Sequence, residues 1–148
     1  MRPEIDKILE TTAAQLMMQI APELPPGYTQ NSTGLIGMLL GFCAQEYENG
    51  AELRAGENHK LRNLLADLEG IVEDAKLRGK LGTVMGDSDA SLKISDLNYS
   101  NTGLKKLLIE VQAFLETRTD DKAKLARREI WAVLKASAND RLLKLPGM

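Results

Sequence analysis

Residues 58–73, NHKLRNLLADLEGIVE, carry the pattern that decides the fold. Their apolar side chains recur every three or four positions, at Leu61, Leu64, Leu65, Leu68, Ile71 and Val72. Because an α-helix turns once in about 3.6 residues, this spacing places them on one helical face. The chain is also rich in helix formers, with 24 Leu and 15 Ala against 4 Val. We therefore predict an all-α protein.

The same pattern returns further along the chain, where residues 101–116 read NTGLKKLLIEVQAFLE. At this offset of 43 positions all of the apolar positions coincide, and Asn58 and Glu73 align with Asn101 and Glu116. One interpretation is a duplicated helical unit that packs about a pseudo-twofold axis. The other is that two Leu-rich amphipathic helices resemble each other by chance. Both stay open at this point.

Upstream, small residues recur at steps of three and four within an apolar segment, at Gly34, Gly37 and Gly41. They form a smooth stripe that lets another helix approach closely. Because glycine destabilises a helix, so many of them indicate a packing role. We predict a helix that begins near Asn31 or Ser32 and uses this stripe as a helix-packing interface.

Residues 48–60 are polar and contain no proline. They fit either a loop, near Asn49-Gly50 or Gly56-Glu57, or the solvated middle of one long helix. We favour a continuous but kinked helix from Ser32 to Lys80.

The remaining segments complete the bundle. A first helix is expected from about Pro3 to Ala21, with an apolar face of Ile5, Ile8, Leu9, Thr12, Leu16 and Ile20. Within the glycine-rich residues 79–103 we expect a short helix near 90–98, followed by a helix over 104–118. Asp120 or Asp121 caps a last helix, about 121–145, whose core face is Leu125, Ile130, Val133, Leu134, Leu142 and Leu145. The prediction is an antiparallel bundle of four to five helices, with residues 1–148 forming one domain.

The distribution of charge along the chain excludes few classes of function. The net charge of -2 combines a balance of -7 over residues 1–74 with +5 over residues 75–148. Such halves can attract each other within one domain or between two copies. The basic half is too mild to predict nucleic-acid binding. No apolar run is long enough to span a membrane, and the single cysteine, Cys43, needs no oxidising compartment, so we expect a cytoplasmic protein.

Few residues suggest chemistry. His59 is the only histidine, and 16 residues separate it from Cys43, which is roughly 24 Å along one helix. No Glu-x-x-His pair and no phosphate-binding loop is present. We therefore predict no catalytic residue, no metal site and no cofactor.

The expected function is association rather than catalysis. We predict a small non-catalytic protein that forms a homodimer, or that docks on another protein through Gly34, Gly37 and Gly41. The alternative is a ligand-binding or enzymatic bundle with a pocket near Phe42, Glu46 and Tyr47, where an apolar helical face meets a carboxylate and a phenol.

Overall fold

The computed structural model describes residues 4–84 and 86–145, most of which are helical. At the N-terminus α1 (Ile5–Gln15) continues through a π-helical stretch, Leu16–Ile20, into the short α2 (Ala21–Glu23). The helices that follow are α3 (Tyr28–Leu68), α4 (Ala75–Val84), α5 (Ile94–Glu116) and α6 (Asp121–Asp140). Counted with the N-terminal stretches as one, the described residues form five helices and no strand. The all-α bundle is confirmed.

The polar segment 48–60 lies within α3, so the prediction of one long helix is confirmed there. The helix ends at Leu68, however, and not near Lys80. The Asp74 carboxylate accepts a 2.7 Å hydrogen bond from the amide of Leu77 and thereby caps a separate helix, α4. Within the described ranges no helix combines the length and the apolar character needed to cross a membrane.

The chain divides into two compact units. The first comprises the residues up to Gly50 together with those from Leu142 onwards, and the second comprises Ala51–Arg141. Helix α3 contributes residues to both units. The grouping of residues 1–148 into one domain stays a prediction.

The first unit is built on a close approach of α1 to the N-terminal part of α3. Its buried residues are all small: Ala13, Ala21, Gly37, Gly41, Ala44 and Gly50. A Cβ atom at Gly37 would lie 2.6 Å from Met17 Cγ and 3.0 Å from the carbonyl oxygen of Ala13. Glycine is favoured at this position because the side chain of Met17 and the carbonyl oxygen of Ala13 leave no room for a Cβ atom unless α1 shifts.

The second unit has a conventional leucine core. Its buried members include Leu61, Leu65, Leu68, Leu81, Leu108, Val111, Leu115 and Ile130. Hydrogen bonds between the helices show their directions. Arg54 pairs with Asn98 and Arg118 reaches the carbonyl of Ile71, so α5 runs parallel to the second half of α3. Arg127 donates to the carbonyl of Leu115, as expected for an antiparallel α6.

Boundaries of three helices differ from the expectation besides the end of α3. Helix α3 begins at Tyr28 and not near Asn31 or Ser32. α5 is continuous from Ile94, because the polar residues 98–103 are helical: Thr102 Oγ1 donates 2.8 Å to the carbonyl of Asn98. α6 ends at Asp140 rather than near residue 145. The Asp120 cap is confirmed, since its carboxylate accepts 3.1 Å from the amide of Ala123.

The core face predicted for α6 is correct only in part. Ile130 is buried, and Val133 and Leu134 are half-buried against the core. Leu125 is exposed, and Leu142 and Leu145 lie beyond the end of the helix and are also exposed. The buried positions are instead Ala123, Ala126 and Ser137, because small side chains let α6 pack closely.

Replacement of Gly37 by alanine tests the close approach of α1 to α3. We expect Gly37→Ala to lower the free energy of unfolding by about 1–2 kcal/mol, because the added methyl group overpacks the contact with Met17 and Ala13. Gly34→Ala is the matched control, since no atom lies within 4 Å of the added Cβ. It should stabilise the helix by about 0.5–1 kcal/mol. Urea unfolding followed by circular dichroism measures both, and equal stabilities would contradict the close approach.

Candidate functional site

The residues of the predicted glycine stripe do not share one environment. Gly37 contacts α1 of the same chain, and Gly41 is buried on the same side of α3. Gly34 faces open space. The stripe therefore serves, at Gly37, for packing within the chain.

The residues of the predicted ligand pocket lie on or near the surface of the first unit. Phe42 is half-buried, whereas Glu46 and Tyr47 are exposed. A pocket of about 250 Å³ in the first unit is lined by residues that include Ala13, Met17, Gly41 and Gln45, and not by any of these three.

The opposite side of α3 from Gly37 carries an exposed apolar surface. Leu35, Leu39 and Phe42 follow one another at steps of four and three, the spacing of a helix–helix contact. Leu35 and Leu39 are 52% and 50% exposed, and the adjacent Ile36 is 52% exposed. We call these four residues the uncharged face, because residues 24–45 contain no Asp, Glu, Lys, Arg or His.

Helix α1 shows the same property. The apolar face predicted for it is largely not buried: Ile5 is 45% exposed, Ile8 51% and Ile20 42%. The buried residue of α1 is Ala13. The first unit therefore leaves on its surface the large apolar side chains that the sequence pattern assigns to a core.

A cluster of buried polar side chains lies in the second unit. The carboxylate of Glu57 is 6% exposed and accepts from Lys105 Nζ at 2.9 Å, from Asn101 Nδ2 at 3.1 Å and from Arg141 Nη2. Burial raises the pKa of Glu57, but the hydrogen bonds and charges of Lys105 and Arg141 together outweigh it and lower the pKa below its ordinary value. Glu57 is therefore held as a buried, compensated anion.

Asn58 lies at the centre of this cluster and is fully buried. Its Nδ2 donates to Asp89 Oδ1 and to the carbonyl of Leu97, both at 3.0 Å, and its Oδ1 accepts from Asn101 at 2.9 Å. The side-chain amide thus ties α3 to α5 and to the segment before α5.

Asp89 is held in turn by Arg62, whose Nη2 lies 2.7 Å from Asp89 Oδ1. The hydrogen bond from Arg62 lowers the pKa of Asp89, with smaller contributions from Ser100 and Asn58, against the opposing effect of burial. The carboxylate is consequently charged in the folded protein at neutral pH.

The internal sequence similarity has a structural counterpart. Asn58 and Asn101 are equivalent positions of the two aligned segments, and they hydrogen-bond each other. Because α3 and α5 run parallel here, equivalent positions lie side by side. The contact is consistent with a duplication and equally with two unrelated helices in parallel packing.

An open pocket of about 560 Å³ lies in the second unit. Its lining includes Arg62, Val84, Tyr99, Thr102 and Lys106. The single histidine lies outside it: His59 is exposed and pairs with Asn63 on its own helix. Across residues 4–84 and 86–145 no group of three His, Cys, Asp or Glu side chains is placed to hold a metal ion.

The chain matches no protein-family model, no curated protein and no solved structure at a significant level.

The sequence pattern did not reveal the polar cluster. Glu57, Lys105 and Arg141 are separated by long stretches of chain and share no motif. The one signal in the sequence is the identity of Asn58 and Asn101 in the aligned segments, which was interpreted only as evidence for a duplication.

Replacement of Asn58 tests its role as the link between helices. Asn58→Ala removes the hydrogen bonds of this buried side chain to Asp89, to the carbonyl of Leu97 and from Asn101, and it leaves a cavity between the helices. We expect the free energy of unfolding to fall by about 2–4 kcal/mol. Asn63→Ala is the control on the same helix, and its exposed side chain predicts a change within about 0.5 kcal/mol. Urea titration of both variants checks the difference, and equal losses would contradict the assignment.

The lowered pKa of Glu57 predicts a loss of stability in acid. The unfolded chain binds the proton at a higher pH than the folded protein, so the contribution of Glu57 is complete above the ordinary glutamate pKa of about 4.3 and disappears as pH falls through the folded value. Glu57→Gln cannot titrate, so its stability should decline less than that of the wild type between about pH 6 and about pH 3. Unfolding free energies measured across this range give the two slopes, and identical slopes would show that Glu57 is not the group responsible.

Proposed function

We propose that this protein functions by association, first with a second copy of itself through the first unit. The observation that supports the proposal most directly is the uncharged face, Leu35, Ile36, Leu39 and Phe42. It places large apolar side chains on the surface at the spacing of a helix–helix contact.

The absence of charge favours a second copy as the partner. In a twofold-symmetric pair the same surface meets itself, so a charged residue near the axis would face its own like charge. The uncharged face avoids this electrostatic repulsion, because it contains no charged side chain. The charges on α1 are partly compensated within the helix, where Lys7 lies 3.0 Å from Glu10 and 3.4 Å from Asp6.

The geometry of the first unit also suits a pair. Two antiparallel helices have no interior of their own, whereas two such hairpins can enclose one in a four-helix bundle. In that arrangement the exposed Ile5, Ile8 and Ile20 of α1 would join the uncharged face of α3 in a shared core.

We also propose that the protein is located in the cytoplasm. A single cysteine, Cys43, requires no oxidising compartment, which supports a cytoplasmic protein. The experiments below also test the competing proposal, in which the uncharged face binds a different protein instead of a second copy. The alternative of a ligand pocket at Phe42, Glu46 and Tyr47 gains no specific support from the half-buried position of Phe42 and the exposed positions of the other two residues.

Substitution of Leu39 tests the uncharged face. Leu39→Glu would bury an unpaired carboxylate in each half of the dimer, and we expect the dissociation constant to rise by about 100-fold or more. Ile109→Glu is the matched control, because Ile109 is a 67% exposed apolar residue of α5 in the second unit. Light scattering over a range of concentrations gives the masses. A wild type that stays monomeric throughout would refute self-association, and a dimer insensitive to Leu39→Glu would refute this face.

The native cysteine offers a second readout. Cys43 is exposed and follows Phe42 directly on α3. A short-spacer bis-maleimide should join two chains in the wild type and in Ile109→Glu, but not in Leu39→Glu. Cross-linking that is equal in all three proteins would indicate random collision rather than a defined pair.

A further inference from the structure

The pocket of about 560 Å³ in the second unit has the volume of a small-molecule site. Ligand pockets in proteins enclose about 300–1,000 Å³ and combine apolar walls with a few polar groups that fix the orientation of the ligand. One face of α5 supplies much of the lining, at steps of four, three and four: Ser95, Tyr99, Thr102 and Lys106. All of the lining residues belong to Ala51–Arg141, so the pocket lies within one compact unit.

Gly103 lies in the middle of α5 and also lines this pocket. A Cβ atom at this position would meet no atom within 4 Å, so close packing within the chain does not account for the glycine. Glycine destabilises the interior of a helix relative to alanine. Because it carries no side chain, it leaves room for a ligand to approach the backbone of α5.

Apolar groups form another part of the wall. Leu104 is 5% exposed, and the half-buried Val84 packs against the core, so both side chains are held in place. The side chain of Tyr99 is 84% exposed, which leaves its ring free to contact a ligand. Since aromatic rings favour offset-stacked or edge-to-face contacts with one another, this wall suits a ligand that carries a ring.

The charged groups of the pocket favour an anion. Among the described lining residues Arg62 and Lys106 are cationic, and Asp87 is acidic. Lys106 is exposed and forms no ion pair with a described carboxylate. Arg62 is held by Asp89, yet its Nε is buried and has no hydrogen-bonding partner among the described residues. The pocket therefore offers one unpaired cation and a guanidinium with unused donor capacity.

We propose that this pocket binds a small organic anion that carries an aromatic ring. The ring packs against Tyr99 and Leu104, and the anionic group pairs with Lys106, while the guanidinium of Arg62 offers a further donor. The site lies in the second unit and does not rest on the proposed self-association of the first.

Titration of the full chain with small probes tests the site. Phenyl phosphate and benzoate present two common anionic groups on a ring, and benzylamine presents a cation instead. We expect at least one of the two anions to shift the backbone amide NMR signals of Thr102, Gly103 and Lys106, with a dissociation constant of about 1 mM. Benzylamine should bind at least about threefold more weakly, because it meets an unpaired lysine. The anion that binds more tightly identifies the preferred group.

Substitution of Lys106 tests the charge. Lys106→Gln should raise the dissociation constant of the anion by about three- to fivefold, because the partner of the anionic group is lost. Lys135→Gln is the matched control, since Lys135 is an exposed lysine of α6 that does not line the pocket. It changes the net charge equally and should leave the dissociation constant within about twofold of the wild type.

Substitution of Gly103 tests the location. Gly103→Leu fills part of the pocket from a position with no atom within 4 Å of the added Cβ, and leucine is a good helix former. We expect the dissociation constant to rise by about tenfold. Gly56→Leu is the control, because Gly56 is an exposed glycine of α3 with equally open surroundings outside the pocket.

Three results would overturn the proposal. The first is the absence of shifts at the pocket amides with either anion at about twenty times the expected dissociation constant. The second is benzylamine that binds as tightly as the better anion. The third is an affinity that either Lys106→Gln or Gly103→Leu leaves equal to that of its control, because the probe would then bind elsewhere or without the lysine.

Discussion

The close contact between α1 and α3 at Gly37 determines what the first unit can bury. A Cβ atom at this position would collide with Met17 and with the backbone of Ala13, so the two helices meet over glycine and alanine. Such a contact buries backbone and methyl groups but few large side chains. Because burial of a leucine or isoleucine side chain contributes about 1.5–3 kcal/mol, the apolar residues left on the outer sides of both helices are a substantial unused source of stabilisation. A second hairpin of the same kind is the simplest structure that would use it.

The second unit, unlike the first, buries its large apolar side chains in its own core. Its leucines are inside, and the two buried side chains Glu57 and Asn58 have hydrogen-bonding partners within the unit. Glu57 accepts from Lys105, Asn101 and Arg141, and Asn58 uses both its donor and its acceptor capacity. A buried ionic cluster of this kind contributes little net stability compared with apolar packing, yet removal of one member is costly because it strands the others. The cluster therefore defines how α5 lies beside α3 rather than how stable the unit is.

The continuity of α3 through the polar residues 48–60 was favoured because they contain no proline, and α4 was not predicted as a separate helix. Periodicity in the sequence predicted the remaining helices, because side-chain spacing reports directly on a helical face. It could not report which face is buried within one chain: the predicted core residues Ile5, Ile8 and Leu142 are exposed. Burial depends on neighbours that the local pattern does not specify. The end of α6 was missed for a similar reason, since the segment after it is held by Gln45, a residue distant in the chain. The polar cluster was not predicted from the sequence, although the repeated Asn58 and Asn101 belong to it.

The distribution of polar groups in the two units bears on the choice between binding chemistry and association. The side chains best suited to chemistry are the buried carboxylate of Glu57, the half-buried carboxylate of Asp89 and the amide of Asn58. They are engaged with one another and with cationic residues of the same unit. A carboxylate that is kept ionised by adjacent cations is a poor general base, because its lowered pKa weakens its affinity for a proton. Three residues of the uncharged face, Leu35, Ile36 and Leu39, are by contrast about half exposed. Among the described residues, the exposed apolar side chains of the first unit are the observation that supports the proposed association.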